Sequence, residues 1–414
     1  LEALAAVKTT EVSNLDPKLK ARLLEQFLVD HGVYQRKKTE LDRANAQLAQ
    51  VKKAAGELNV MVLAERKEPR KTFVLERGVW DKHGAEVSRS VPKAVFPLPQ
   101  EKTKDRLDLA RWLVSDQNPL TARVVVNHLW QICFGEGLVR TPGDFGLQGE
   151  GPTHPEVIDW LAVELMEHNW DLQHVLRLIV TSRTYQQRSE VLPALLERDP
   201  ENRLLARGPR FRLPSWMIRD AALQASGLLN PALGGPPVMP YQPAGVWAEM
   251  FMGRFRYEPS QGAAQYRRSL YAFWRRSSAP TFLFDSAQRR VCEVEPRRTN
   301  TPLQALTLLN DLSILEASRE LARTAIQQET TVPARLELIA RRILSRSLDA
   351  RERAVLERKF QLSFAHYQKQ PEDALSLLDV GQPPNKRNVA ADELAAYMVI
   401  ASMVFNLDEA ITHE

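Results

Sequence analysis

The stretch RRTNTPLQALTLLND, residues 297–311, contains the clearest helix start in this sequence. Thr301 can cap the helix, Pro302 suits the first position because no N–H is needed there, and Gln304 can bond back to the Thr301 amide. Apolar side chains follow at helical spacing: Ala305, Leu308, Leu309, Leu312 and Leu315. The pattern predicts a helix from Pro302 onward with one buried stripe.

The helix start does not explain four residues just before it: Arg297, Arg298, Thr299 and Asn300. Free N–H groups and the helix dipole attract anions, so these residues could hold a carboxylate, sulfate or phosphate. In the other interpretation, the arginines pair with carboxylates of the protein itself, such as Glu293, Glu295 or Asp285. Both interpretations stay open at this point.

Helical patterns dominate the rest of the chain. TARVVVNHLWQICFG, residues 121–135, fits the helical template closely, and Asp349 with Glu352 forms a capping-box pattern. We predict a mainly α fold: a multi-helix domain with a small β-rich subdomain and long loops. We expect three segments. Residues 1–69 form a helical linker or coiled-coil arm, residues 70–104 form a short β-rich segment and Pro-rich connector, and residues 105–414 form the mainly helical domain.

Composition and missing motifs limit the function. Hydrophobic residues make up 44% of the 414 residues, and the net charge of +5 is too small to indicate nucleic acid binding. No apolar run approaches the ~18 residues of a membrane span. The sequence lacks CxxCH, CxxC, HExxH, GxSxG, GxGxxG and P-loop patterns, so we expect no metal and no cofactor in this chain. Whether Cys133 and Cys292 form a disulfide stays open, and the chain, which does not begin with Met, is expected to be part of a longer protein.

Arginine pairs alternate with aromatic residues in QYRRSLYAFWRRSSAPTFLFD, residues 265–285. Aromatic faces can stack on sugars while arginine binds acidic groups, but a buried aromatic core edged by arginine fits equally. The alternation in SLYAFW also suits a strand. With the helix start, this region supplies our candidate ligand-binding residues: Arg267, Arg268, Tyr271, Trp274, Arg297, Arg298, Asn300, Thr301 and Gln304.

Histidine and carboxylate residues give a weaker candidate site. In THPE, residues 153–156, Thr153 and Glu156 could form a capping box, which places His154 at a helix start near the loop of Asp144. The two could form an acid–base or metal pair, or His154 could be structural. His168 and His174 flank a helix–helix turn and are expected at the surface.

Several stretches together resemble the planctomycete secreted domain, domain of unknown function 1553. They include NPLTARVVVNHLWQICFGEGLVRTPGDFGLQGEGPTHPEVIDWLA, QYRRSLYAFWRR, RRTNTPLQALTLLND and ASMVFNLDEAITHE, and the resemblance runs from about Phe73 to the end of the chain. It implies a secreted, periplasmic or cell-surface protein in which cytochrome-type domains, carrying any haem, lie upstream. It also implies a setting of electron transfer or polysaccharide degradation, without an established activity.

Three functions follow as hypotheses, and whether the protein is an enzyme stays open. The leading one is an accessory binding module of a secreted, cytochrome-linked protein that recognises an acidic or sulfated glycan or a partner protein. The second is a carbohydrate-active enzyme, hydrolytic or oxidative, with its site near Asp144 and His154. The third is a scaffold that docks the upstream haem domain through the helices of residues 17–63.

Overall fold

The computed structural model describes residues 16–55, 61–66, 68–92, 94–97, 105–250, 255–275, 278–285, 293–294, 298–382 and 389–413. The chain divides into two compact units. One consists of Leu1–Arg89 with Lys104–Arg106, and the other of Ser90–Thr103 with Leu107–Glu414. Each unit is described by itself below.

The smaller unit contains two helices and a two-stranded sheet. Helices α1 (Pro17–Asp30) and α2 (Gly32–Ala55) follow the helical pattern predicted from residue 17. Strands β1 (Thr72–Leu75) and β2 (His83–Val87) pair antiparallel, with Phe73 opposite Glu86. The Glu65 carboxylate accepts hydrogen bonds from Arg106 Nη1 at 2.7 Å and Arg89 Nη2 at 3.3 Å, and all three side chains are exposed.

The remaining elements are mainly helices, as the sequence predicts. They are α3 (Arg106–Leu113), α4 (Thr121–Phe134), α5 (Pro155–Glu167), α6 (Leu172–Thr181), α7 (Pro193–Arg198), β3 (Phe211–Arg212), α8 (Ser215–Ser226), α9 (Val246–Met250), α10 (Pro302–Asn310), α11 (Leu312–Gln328), α12 (Val332–Leu344), α13 (Ala350–Lys369), α14 (Pro371–Leu378), α15 (Ala391–Phe405), α16 (Asp408–Ile411) and β4 (Thr412–His413). Short 3₁₀ turns cover Glu76–Gly78, Gly262–Ala264 and Ser269–Tyr271. None of the helices in these ranges is both long and apolar enough to span a membrane.

Two apolar cores hold the larger unit together. The first joins α4, α5 and α6 around Val126, Leu165 and Val175, which are fully buried. The second surrounds α15, whose sequence ADELAAYMVIASMVF is apolar on nearly every side, as expected for a helix enclosed by others. Tyr397 of α15 is fully buried and stacks on Phe360, with ring centroids 4.2 Å apart.

Local sequence signals place most helix boundaries correctly, but two predictions are wrong. The stripe that begins at Ala305 does not continue along one helix, because Asp311 ends α10 and its carboxylate accepts the Ser313 amide at 2.9 Å to start α11. The strand suggested by SLYAFW does not form: Ser269–Tyr271 is a 3₁₀ turn, and Ala272 then makes an isolated β-bridge with Val238. There the Ser269 amide donates to the Asp220 carboxylate at 2.9 Å, a tertiary contact that the alternation cannot reveal.

The end of the described chain returns to the middle of the larger unit. β4 pairs antiparallel with β3, so that Phe211 lies opposite His413. The two rings also stack, with centroids 5.1 Å apart. This pairing fixes Phe211 beside the end of α4, where the candidate site lies.

Candidate functional site

The predicted capping box at Thr301 is confirmed. Thr301 Oγ1 accepts the Gln304 amide at 3.4 Å, and Gln304 Oε1 accepts the Thr301 amide at 3.3 Å. Gln304 is buried and its Nε2 donates to Thr299 Oγ1 at 2.6 Å. The polar groups of Thr301 and Gln304 are therefore engaged within the protein.

An internal carboxylate lies at this helix start. Asp285 Oδ2 accepts the Thr299 amide at 2.9 Å, and Asp285 Oδ1 accepts the Thr299 hydroxyl at 2.7 Å. Asn300 Oδ1 accepts a hydrogen bond from Arg212 Nη1 at 3.1 Å. Asp285 thus provides an acidic group next to the first turn of α10, where the sequence suggested an external anion.

The structure describes only one of the two arginines that precede this helix start. Arg297 lies outside the described residues. Arg298 is half-buried, and its guanidinium carbon is 4.6 Å from the centroid of the Phe211 ring. It therefore lies by β3 and the end of α4, and it lines a cavity there.

The pair Arg267 and Tyr271 holds a loop of the protein. Arg267 is buried, and its guanidinium donates to the carbonyls of Pro236 at 2.9 Å, Ala232 at 3.1 Å and Gly234. Its guanidinium carbon is 3.7 Å from the Tyr271 ring centroid, and the Tyr271 hydroxyl accepts the Gly234 amide at 2.8 Å. These groups fasten the turn of the Pro- and Gly-rich segment 231–237.

The other two candidates in this region are separate from that loop contact. Trp274 is half-buried and packs against Ala272, Phe282 and Leu283, as in the interpretation of an aromatic core. Arg268 is exposed. The four arginine–aromatic candidates therefore do not converge on one cavity, and the cavity beside Arg298 contains none of them.

That cavity has a volume of 410 Å³. It lies between the end of α4, the segment after it, α7 and the loop leading into β3. Five arginines line it: Arg140, Arg203, Arg207, Arg210 and Arg298. Two glutamates, Glu136 and Glu201, also contribute to the lining. Positive charge therefore predominates on its walls.

Each arginine is oriented by the protein. Arg207 is 9% exposed and donates to the carbonyls of Asp199 at 3.0 Å and Pro200 at 2.8 Å. The buried Asp199 carboxylate accepts the amides of Arg203 and Leu204 at 2.8 and 2.7 Å and provides opposite charge in the same loop.

Ion pairs hold three of the arginines at the cavity edge. Arg140 bonds Glu136, with Nε and Oε2 2.9 Å apart, and also pairs with Glu201. Arg203 pairs with Glu150 at 3.4 Å, and Arg210 pairs with Asp408. The four carboxylates are about half exposed, so solvent weakens these ion pairs and a bound anion could share the arginines.

Aromatic rings form a continuous wall behind the arginines. Trp130 stacks on Phe134 at 4.2 Å between centroids, and Phe134 meets Tyr185 edge-on at 5.6 Å. The Tyr185 hydroxyl lies 2.8 Å from His413 Nε2, and His413 stacks on Phe211. Burial lowers the pKa of His413 and raises the pKa of Tyr185, so both are held neutral near pH 7.

Two glycines allow the end of α4 to come close to the opposite wall. Gly135 has φ of 84°, and a Cβ atom there would lie 2.7 Å from Phe211 Cδ1. At Gly137 a Cβ would lie 2.5 Å from Asn127 Nδ2. Asn127 is fully buried and bonds both the amide and the carbonyl of Val139, at 2.8 and 3.0 Å.

The structure does not join Asp144 and His154. Asp144 is exposed and its Oδ1 accepts the Gly146 amide at 2.7 Å, whereas His154 Nδ1 lies 3.0 Å from Thr153 Oγ1. The predicted capping box of Thr153 with Glu156 is wrong. The Thr153 amide, which the box needed as a donor to Glu156, donates to the Leu138 carbonyl at 2.9 Å instead. His154 is the N-cap of α5 and makes no side-chain cap bond.

Comparison with known proteins identifies the family to which this sequence is similar. Residues 105–360 match the model of the PSD1 family, described as a protein of unknown function (DUF1553). The matched range includes every residue of the cavity lining. No curated protein and no solved structure matches the chain.

Proposed function

The chain belongs to this DUF1553 family, and from its own geometry we propose that it is a binding module that holds an acidic or sulfated saccharide in the cavity of Arg298. The observation that carries the proposal is the convergence of five arginines and an aromatic wall on one cavity of 410 Å³. Most cavities that bind small ligands have volumes of about 300–1,000 Å³.

The chemistry of the lining favours this ligand class. Guanidinium groups are planar and present several N–H donors, which match the oxygens of sulfate and carboxylate better than an ammonium does. Trp130, Phe134 and Phe211 contribute apolar surface to the lining, against which the carbon skeleton of a sugar can pack. A saccharide with an acidic substituent satisfies both kinds of wall.

The lining glutamates limit the charge of the ligand. Glu136 and Glu201 pair with Arg140, and Arg203 and Arg210 pair with Glu150 and Asp408, so carboxylates of the protein already offset much of the arginine charge. A ligand with one or two acidic groups therefore fits this site better than a highly charged one. This argues for a mono- or disaccharide unit in the cavity, with any longer chain extending into solvent.

Calorimetric titration with a sulfated disaccharide and its unsulfated parent tests the proposal. The double variant Arg203→Ala/Arg298→Ala should lose at least ~10-fold in affinity for the sulfated sugar, because charge-assisted hydrogen bonds contribute about 1.5–3 kcal/mol each. Arg268→Ala removes an exposed arginine outside the cavity and should change nothing. Absence of binding to the wild-type protein, or an equal loss in Arg268→Ala, would reject the proposal.

Secretion and the cytochrome context form part of the proposal through the resemblance described above. In that setting the module would bring an acidic polysaccharide to a haem-bearing domain upstream in the same protein. Fractionation of the native cells should then recover the protein outside the cytoplasm. Its presence only in the cytoplasmic fraction would contradict this placement.

Exposed apolar residues favour a second function, docking of the upstream haem domain by α1 and α2. Leu41, Leu48 and Val51 of α2 are each at least half exposed, and such residues often form contacts with a partner. Co-purification of the chain with a separately expressed haem domain should weaken in Leu41→Ser/Leu48→Ser. Gln47→Glu, on the same helix, is the control, and equal recovery of all three proteins would exclude docking through α2.

A further inference from the structure

A cluster of two histidines and a glutamate lies at the turn between α5 and α6, away from the cavity lining. α5 ends at Glu167, and Asn169 and Trp170 both have left-handed backbone conformations, with φ of 55° and 61°. Asp171 then caps α6 by accepting the amides of Gln173 and His174. This tight turn places the first turn of α6 beside the last turn of α5.

The turn brings three potential metal ligands together. Glu164 Oε2 lies 2.9 Å from His174 Nε2 and 3.3 Å from His168 Nδ1. The two imidazole rings are stacked, with centroids 3.8 Å apart and an angle of 17° between them. One ligand atom from each residue lies within 4.8 Å of the other two.

The histidine nitrogens that face Glu164 can donate hydrogen bonds or bind a metal ion. His168 Nδ1 lies 2.9 Å from the Glu164 carbonyl oxygen, a contact that would cap the end of α5. With a metal ion bound, His168 Nδ1, which lies 3.3 Å from Glu164 Oε2, would leave this backbone contact and bind the ion, as would His174 Nε2.

We propose that Glu164, His168 and His174 bind a divalent transition metal of the zinc class. Two imidazoles and a carboxylate are preferred zinc ligands, and tetrahedral bonds of about 2.0–2.1 Å would place the ligand atoms roughly 3.4 Å apart. Small side-chain rotations achieve this from the present separations. The side chains are 22%, 47% and 28% exposed, respectively, so solvent can reach the fourth position.

The bound ion would link α5 to α6 and would carry one water molecule or one small ligand. Three protein ligands with one open position is the arrangement of zinc sites at which a water or substrate binds. Softer and borderline metals fit imidazole, whereas Mg²⁺ prefers oxygen ligands in an octahedral site. We therefore expect Zn²⁺ and Co²⁺ to bind and Mg²⁺ to fail.

Titration of the full chain with Zn²⁺, after chelator treatment and removal of any affinity tag, tests the site. We expect one equivalent to bind and Co²⁺ to give the visible absorption of a tetrahedral site. His174→Ala should weaken Zn²⁺ binding by roughly 100-fold or more, since even indirect metal contacts contribute 10–100-fold. Glu164→Gln, which keeps the side-chain shape, should weaken binding at least ~10-fold.

His366→Ala is the matched control, because His366 Nε2 also contacts a carboxylate, Asp373 Oδ2, at 3.1 Å, but has no second histidine beside it. It should bind Zn²⁺ as the wild type does. Circular dichroism of each variant establishes that it is folded. Failure of the wild-type protein to bind one equivalent, or equal affinities of wild type, Glu164→Gln and His174→Ala, would overturn the proposal.

Discussion

Replacing Gly135 with alanine tests whether the close approach of Phe211 and Arg298 to α4 builds the cavity wall. Gly135 ends α4 with φ of 84°, and its new Cβ would lie 2.7 Å from Phe211 Cδ1 and 3.1 Å from Arg298 Nη1. The first separation is shorter than a van der Waals contact. The aromatic ring and the guanidinium must therefore move away from the helix end.

Two costs add in this variant. A positive φ costs alanine at least about 1–2 kcal/mol, the cost in the αL region where Gly227 lies, and overpacking at Gly135 typically costs a further ~1–3 kcal/mol. The free energy of unfolding should therefore fall by about 2–5 kcal/mol. Gly227 is the matched control, because it also ends a helix, with φ of 81°, but no atom lies within 4 Å of its added Cβ. Gly227→Ala should cost only the backbone term, about 1–2 kcal/mol.

Urea unfolding followed by circular dichroism measures both free energies in the same compact unit, and titration with the sulfated disaccharide measures the cavity. We expect Gly135→Ala to be the less stable variant and the only one with weakened saccharide binding. Equal destabilisation would refute the close approach of Phe211 to α4. Unchanged saccharide affinity in Gly135→Ala would refute the role of this wall in binding.

Two further predictions concern stability. Asn127→Ala leaves the buried Val139 amide and carbonyl without partners and should lower the free energy of unfolding by about 3 kcal/mol in urea; a change under ~0.5 kcal/mol would contradict this. Arg346, with the amide of Asp349, lowers the pKa of Glu352 from 4.5 to about 2. The ionised Glu352 therefore stabilises the folded protein above pH 4.5, and this stabilisation is lost as pH falls toward 2. Glu352→Gln should cost about 1 kcal/mol at pH 7, after allowance for solvent screening, and should flatten the fall of Tm between pH 5 and 2; an unchanged fall would contradict the assignment.

Local signals predicted the elements of the fold well. The capping boxes at Thr301 and Asp349 are confirmed because their hydrogen bonds join residues three apart, and no distant residue is needed to make them. The same pattern at Thr153 is wrong, since the carbonyl of Leu138 takes the Thr153 amide and His154 becomes the cap. A tertiary contact decides that case, and sequence spacing carries no information about it.

The candidate site was much less predictable. Four of the five cavity arginines occur singly in the sequence, and only the fold brings Arg140, Arg203 and Arg298 to one place. The metal cluster, in contrast, left a weak signal. Glu164 and His168 are four residues apart on one face of a helix, and His174 follows a short turn. This spacing matches no common metal-binding motif such as HExxH, so the sequence alone did not indicate a metal site.

Arginine has two separate uses in this fold, which explains why arginine pairs were a poor guide to a ligand site. Four buried arginines donate mainly to backbone carbonyls of irregular segments: Arg207, Arg219, Arg267 and Arg319. Such carbonyls have no helix or sheet partner, and leaving them unbonded would cost ~1–3 kcal/mol each. A guanidinium satisfies several at fixed angles, as Arg219 does for Gln265 and Arg267, whereas an ammonium could not match that geometry. Buried arginines therefore fasten the irregular segments of this fold, whereas arginines that line the cavity face the space proposed for a ligand. Of the four, Arg207 also lines that cavity.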